Sequence, residues 1–313
     1  KLCVVGFRNG GATESLRVAH GAGDGRVLRR FDESAVAVPA DLLASYSPAA
    51  RTFPFLRSRE QVDLLADLVG PPPLGERVEG AWFAEPYTEL HRAQDTDRFD
   101  AGDGDYPVYG GRNVYQFVHD DAVFEDIEPP SLWSVTAGRD PSRSARRRIR
   151  ERAFNGHDPR FSPKPAVYEA FDGSGSQRAF VDDLLREHRG EGLSHDDVLL
   201  DCTAYRIVYR EIANATNERG MVAAVVPPGV VCHHKLHTVR PYVVEPTEAD
   251  LSAPTLQGAY ERVFTDRELF AAVGLLNSLP FDYLLRSRLD TSVVMYKFRE
   301  SKLPRLTAGD RWF

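Results

Sequence analysis

Residues 209–230 read YREIANATNERGMVAAVVPPGV, and the interpretation of the whole chain turns on them. A polar, amide-rich knot (Asn214, Asn217, Glu218, Arg219, Gly220) separates two apolar runs, and the second run ends in two prolines. The runs 205–213 and 221–226 have strand character, so the stretch reads as a β-hairpin with a long loop. Alternation puts Tyr205, Ile207 and Tyr209 on one face and Arg206, Val208 and Arg210 on the other. One face is then expected in a core and the other is expected to present guanidinium groups. Arg210, rather than Arg206, is expected in a buried ion pair with Glu211 or Glu218. Asn and Gly in such a loop serve the turn itself. The same amides, with Arg219, also have the chemistry to contact base edges or phosphates. Both readings stay open at this point.

Outward from the hairpin, the composition narrows the class. A chain of 313 residues, 42% hydrophobic and 27% charged, is long enough for one large domain or two ordinary ones and has the balance of a globular protein. No apolar run approaches the roughly 20 residues that span a bilayer, so no membrane partner is expected. Cys3, Cys202 and Cys232 are too few and too scattered for a disulfide framework, which fits a reducing cytoplasm. The formal charge of −7 argues against a surface that is uniformly attractive to nucleic acid. Five lysines leave 34 arginines among the 39 basic residues, the balance of a GC-rich and salt-adapted source. High salt weakens purely electrostatic DNA binding, so recognition there would lean on hydrogen bonds and shape. The chain opens with LCVVGF, a buried-strand pattern, as expected of a piece of something longer.

Helical spacing is visible at residues 41–46 and 58–69, the latter stopped by Gly70-Pro71-Pro72-Pro73, where a domain boundary is placed. The segment YPVYGGRNVYQFVH, 106–119, reads as short aromatic strands about a Gly-Gly turn. A short helix is predicted over 180–188 and a long one over 266–285, kinked or broken at Pro280. Residues 143–152, RSARRRIRER, form the one dense basic run, suited either to phosphate oxygens or to a solvated helix face.

Catalytic signatures are missing. There is no GxGxxG after a strand, no GxxxxGK, no GxSxG and no HExxH. Cys232, His233, His234 and His237 are the only plausible zinc ligands, and the alternative is an imidazole-rich loop after a strand. A metal-dependent nuclease built on them is one rival reading of the chain.

A further pattern lies in the order of segments. FRNGGATESLRVAH, a helix before a Pro-rich stop, ELHRAQDTDRF and YPVYGGRNVYQFVHD come first. YRIVYREIANATNERGMVAAVVPPGVVCHHKL and LFAAVGLLNSLPFDYLLRSRLDTSVVMYKFRESKLPRL follow. This order resembles the C-terminal half of large adenine-specific DNA methyltransferases of the type IIG restriction-modification kind, with relatives in the BREX and DISARM phage-defence systems. The most specific pieces are the tyrosine-rich strand with ATNER and the strand ending Pro-Pro, the Leu276-Asn277-Ser278 helix with FDYLLRSR, and a closing strand with LPRL, 303–306. Residues 109–117 resemble the family's G-K-M-x-x-Q-F more loosely. Arg112 and Asn113 replace its lysine and methionine, while Gln116 and Phe117 match.

The resemblance implies a mixed α/β (α+β) chain. Residues 1–75 would be the C-terminal remnant of a Rossmann-like methyltransferase sheet, with residues 2–7 a late strand, and 76–313 a target-recognition domain for double-stranded DNA. The family's [N/D/S]-P-P-[Y/F/W] motif is absent: Glu128-Pro129-Pro130-Ser131 and Val226-Pro227-Pro228-Gly229 lack both the polar and the aromatic end. That motif holds and stacks a flipped base. The glycine-rich loop for S-adenosylmethionine (SAM) is absent too. No catalytic or metal residue is assigned here. SAM would be the cofactor of a methyltransferase domain or subunit on the N-terminal side, with none held by this chain. The DNA-contact candidates are Arg112, Asn113, Gln116, Arg146, Arg147, Arg206, Asn217, Arg219 and Lys235. Asn277 and Ser278 are expected chiefly to bond backbone and fix helix packing. A second rival is a scaffold subunit that keeps the fold without reading DNA.

Overall fold

The computed structural model describes residues 6, 10–20, 29–50, 52–96, 99, 104, 106–120, 126–127, 177–194, 196–197, 199–213, 216–244 and 246–313. The strand expected at 2–7 apart from Gly6, the basic run 143–152 with Arg146 and Arg147, the Glu128–Ser131 tetrapeptide, Cys3 and Asn214 lie outside them. The described chain is mixed α and β, with several small sheets rather than one large one.

Strand β1 (Ser15–Val18) pairs antiparallel with β2 (Val36–Pro39), with helix α1 (Phe31–Ser34) just before β2. β2 runs directly into helix α2 (Ala40–Tyr46). Helix α3 (Arg59–Leu68) starts where Ser58 accepts from the Gln61 amide and stops before the Gly-Pro-Pro-Pro run. Val38, Leu42, Tyr46, Leu56, Val62 and Leu65 form a small core that is closed by Leu284, far along the chain. The proline stop is stitched to the C-terminal segment, where the Leu74 amide donates to the Ser301 carbonyl at 2.8 Å.

The central sheet is four-stranded and antiparallel, in the order β3 (Pro86–Tyr87), β11 (Leu236–Val239), β8 (Arg206–Arg210), β9 (Ala223–Val226). β8 and β9 form the hairpin read from the sequence, with Tyr209 opposite Ala223. Beside it, β10 (Val231–Cys232) pairs parallel with β4 (Tyr106–Tyr109), and β4 pairs antiparallel with β7 (Asp126–Ile127). A tight hairpin, β5 (Val114–Tyr115) and β6 (Val118–His119), follows the Gly110-Gly111 turn, and helix α4 (Gln177–Arg189) covers the predicted helix of that region. Strands β12 (Tyr242–Val244) and β13 (Tyr260–Arg262) form a separate pair.

Helix α5 (Asp266–Leu276) opens with a reciprocal cap: Thr265 accepts from the Glu268 amide, and Glu268 accepts from the Thr265 amide at 2.8 Å. Leu269, Ala272, Val273 and Leu276 recur at three- and four-residue spacing and are buried against Ile207, Tyr209 and Ala223 of the sheet. The break expected at Pro280 falls earlier, at Asn277-Ser278. Ser278 caps the next helix, α6 (Leu279–Arg286), and Pro280 sits in its first turn, where a proline lacks no needed donor. The two helices meet at 59°. No single described helix is long and apolar enough to cross a membrane. Helix α7 (Met295–Glu300) ends in a loop, so the expected closing strand at 303–306 is not formed. Its Leu303 is instead a core residue, and Leu306 accepts from the Trp82 indole at 3.1 Å.

Both faces of β8 are covered from Arg206 to Tyr209, which overturns the expectation of an arginine-presenting face except at its end, where Arg210 is half-buried. Ile207 and Tyr209 enter the core under α5, while Val208 enters a second core with Tyr109, Val114 and Cys232. Arg206 is 0% exposed. Its Nη1 donates to both Glu89 carboxylate oxygens at 2.9 and 2.8 Å, its Nη2 donates to the Val230 carbonyl, and Glu89 also accepts from the Cys232 amide at 2.8 Å. This pair joins β8, β10 and the segment after β3 at one buried point. Removing one charge strands the other, so Glu89→Leu is expected to cost about 3–5 kcal/mol, with part recovered in Glu89→Leu/Arg206→Met. Urea unfolding of both variants measures this; equal losses in the two would contradict it.

Candidate nucleic-acid interface

The polar knot is a docking point. Asp282, in the first turn of α6, accepts from the Gly220 and Met221 amides, each at 2.7 Å, and from Arg286 Nε at 2.7 Å. Arg286 Nη2 donates to the carbonyls of Asn217 and Glu218 at 2.6 and 2.5 Å. A Cβ on Gly220 would sit 2.8 Å from Leu289 Cδ1 and 3.2 Å from Asp282 Oδ1, so a glycine is what lets the backbone come this close. The knot's main chain is thus used structurally, while the side chain of Asn217 stands exposed at its rim.

Asn277, at the break between α5 and α6, is buried and faces the edge strand β9. Its Oδ1 accepts from the Ala223 amide at 3.1 Å and its Nδ2 donates to the Ala223 carbonyl at 2.8 Å. The same carbonyl accepts from the Phe117 amide at 3.0 Å. The β5–β6 hairpin is thereby tied to β9 and to the helix break through one residue.

Gln116 points inward from that hairpin. With its amide oxygen turned to Arg219, it accepts from Nε at 3.0 Å and Nη2 at 3.1 Å, and Arg219 Nη2 also donates to the Asn277 carbonyl. Gln116, Arg219 and Asn277 therefore form one connected cluster. Phe117 points the other way, 62% exposed, with Tyr115 (48%) and Val118 (60%) exposed beside it. Arg210 lies over the Tyr115 ring, 5.6 Å from its centroid, and has no ion-pair partner among the described residues. Its expected partner Glu211 is bonded to Lys235 Nζ at 2.8 Å instead.

The predicted contact residues thus divide. Arg112 is exposed, and Lys235 is partly exposed and paired with Glu211. Gln116 and Arg219 come together and face the cluster. Asn113 is corrected: it is buried, its Oδ1 accepting from the Gly110 amide at 2.9 Å and its Nδ2 donating to the Asp120 carbonyl at 3.3 Å, so it closes the turn. Arg206 is corrected likewise, since its guanidinium is enclosed with Glu89 and presents nothing at the surface. Tyr115 and Phe117, the latter matched in the family pattern, are the exposed side chains here that the contact candidates did not include. Their signal is an aromatic at the end of β5 and another in the two-residue turn that follows it.

The cysteine and histidines do not gather about a point, and among the described residues no group of three or more His, Cys, Asp or Glu is placed to hold a metal ion. Cys232 faces a core, His237 packs on Tyr209 with centroids 5.2 Å apart, and His234 stacks on His91 at 4.2 Å. Burial pushes the Cys202 thiol up to about 12 and Cys232 further in the same direction, so both are protonated at neutral pH. His233 packs on the Gly110 backbone, where a Cβ would fall 2.1 Å from Nε2. Burial first, and His234 beside it second, lower its pKa to about 4.

A comparison with protein-family models finds no match to this chain, and a comparison with curated proteins also finds none.

Two outcomes follow from this geometry. Asn277→Ala leaves the buried Ala223 amide unpaired and is expected to cost about 2–3 kcal/mol in urea unfolding, where a loss near zero would contradict the bracket. His233 is neutral when folded, with a pKa of about 4 against roughly 6.5 when unfolded, so the unfolded chain binds more protons in between. Its stabilising contribution is therefore whole above the unfolded value and is lost as pH falls toward 4. An NMR titration of the His233 ring should give a midpoint near 4; a midpoint near the ordinary value would contradict this.

Proposed function

We propose that this chain is the sequence-specific double-stranded DNA recognition module of a SAM-dependent, adenine-specific DNA methyltransferase of the restriction-modification or phage-defence kind. It does not catalyse methyl transfer by itself. In this reading residues 1–75 are the end of a Rossmann-like methyltransferase domain and 76–313 the target-recognition domain. The catalytic proline motif and the SAM site belong to an N-terminal domain or subunit, which holds the cofactor.

The observation that supports the reading is convergence. The segments that carry the sequence resemblance meet in one cluster although they are far apart along the chain: Gln116 from YQF, Arg219 and Gly220 from ATNERG, Asn277 from LNS and Asp282 from FDYLLR. Segments that pack on one another at shared polar contacts behave as one device. On the outer side of that device lie an exposed arginine, Arg112, an arginine over a tyrosine, Arg210, and Lys235. Guanidinium and ammonium groups of this kind grip phosphate oxygens, while base edges are read by groups they position. The inward Gln116–Arg219 pair acts as support in this arrangement.

The test is binding of this chain to random-sequence duplex DNA across a salt series, with selection and sequencing of the retained fraction. The expected result is the logarithm of affinity falling linearly with log salt, and enrichment of a defined site. Arg112→Ala and Lys235→Ala are expected to weaken binding evenly across sequences, each lowering the salt slope by about 1. Salt-sensitive binding without enrichment would overturn sequence specificity. Absence of binding would favour a scaffold subunit of the same fold.

A further inference from the structure

The backbone at the tip of the β5–β6 hairpin is unusual. Val114 pairs with His119 and Tyr115 with Val118, leaving Gln116 and Phe117 as a two-residue turn. Phe117 has φ 66, and it is the one non-glycine residue with positive φ among the described residues. Such a position accepts glycine or asparagine without penalty, whereas a bulky side chain there is an outlier. The ring gains no burial in return, because it is the most exposed phenylalanine of the described residues. Strain of this kind persists where surrounding structure over-determines it, and it gathers at sites of contact with ligands. Here the surroundings are the Ala223 carbonyl, which holds the Phe117 amide, and the Gln116–Arg219 contact behind it.

The neighbours specify what the ring would meet. Arg210 is half-buried over Tyr115, has no carboxylate partner among the described residues, and leaves its Nε without a hydrogen-bond partner. A Cβ on Gly111 would lie 3.4 Å from the Lys235 carbonyl and 3.9 Å from Arg210 Cγ, so Arg210 and Lys235 border the turn that carries Arg112. Glu211 answers Lys235, and Asp120 is exposed at the end of β6. Arg210 lies over the Tyr115 ring, and the exposed Arg112 follows the Gly111 that Arg210 borders. An apolar or aromatic tip flanked by arginines has the chemistry to enter a base step while the guanidinium groups hold the adjacent phosphates.

We propose that Phe117 is a wedge that inserts into a base step of duplex DNA, fixed from behind by Ala223 and Gln116 and flanked by Arg112 and Arg210. This rests on the DNA-recognition reading and adds to it the element that opens the stack. The turn then has a reason to place a ring where glycine would fit.

The experiment compares this chain on two short labelled duplexes, one intact and one with a single abasic position, by fluorescence anisotropy. Removing a base prepays the unstacking, so the wild type is expected to bind the abasic duplex about tenfold tighter. Phe117→Ala should lose that preference and bind the two duplexes with equal affinity, the phosphate contacts alone remaining. Phe117→Gly should also lose it, with a melting temperature at or above wild type because glycine accepts positive φ freely. That variant separates loss of the ring from loss of the fold. A preference that survives in Phe117→Ala, or no preference in a wild type that binds DNA, overturns the wedge and leaves the DNA reading standing. No binding to either duplex overturns the DNA reading, and the wedge falls with it.

Discussion

The side-chain amide of Asn277 does for β9 what a further strand would do. It accepts from the Ala223 N–H and donates to the Ala223 C=O, closing the open edge of the central sheet at one residue. An edge strand with free backbone groups is a template for unwanted pairing, and a buried one would also carry unpaired donors and acceptors. One amide with both a donor and an acceptor solves both problems. Because it sits where α5 ends, it also fixes the helix break. Ser278 caps α6, and Asp282 in the first turn of α6 then reaches the Gly220 and Met221 amides. The knot at 216–220 is thus held by the helix pair, and the β5–β6 hairpin is held by the same Ala223 carbonyl.

This chain of dependence separates support from surface. Arg206 with Glu89, Arg286 with the knot carbonyls, and Arg219 with Gln116 and the Asn277 carbonyl all look inward. Each satisfies backbone carbonyls or a carboxylate within the protein, and where the group is buried, as Arg206 is, that is the usual condition for burying it. Arg112, Tyr115 and Phe117 are exposed, and the half-buried Arg210 lies over Tyr115. A rigid inner network that leaves a small outer set exposed is how a binding surface holds its geometry without depending on loop order.

Local patterns in the sequence carried much of this. The β8–β9 hairpin, α3 with its proline stop, α4, and the apolar face of α5 follow from alternation, three- and four-residue spacing, and caps within a few residues. Asn277 as a packing residue was also legible, because a lone amide on an apolar helix needs backbone partners. Its partner was not, since Ala223 lies 54 residues away and offers only main-chain groups. Arg206 was misread for the same reason. Alternation places it on a face, and only the arrival of Glu89, 117 residues distant, shows that this face is covered. Pro280 was overvalued as a breaker, because in the first turn of a helix a proline begins rather than ends it. The strand expected at 303–306 failed because its neighbours are a carbonyl–indole contact and core side chains rather than a sheet edge.

The central claim is that an inner polar network presents the 111–119 hairpin and its arginines to duplex DNA. Amide hydrogen exchange of this chain, with and without saturating random-sequence duplex, tests it most directly. The account predicts added protection over 109–119 and 233–236, with α3 and residues 303–306 unchanged. Protection confined to α3 or the C-terminal segment, with the hairpin unaffected, would contradict it.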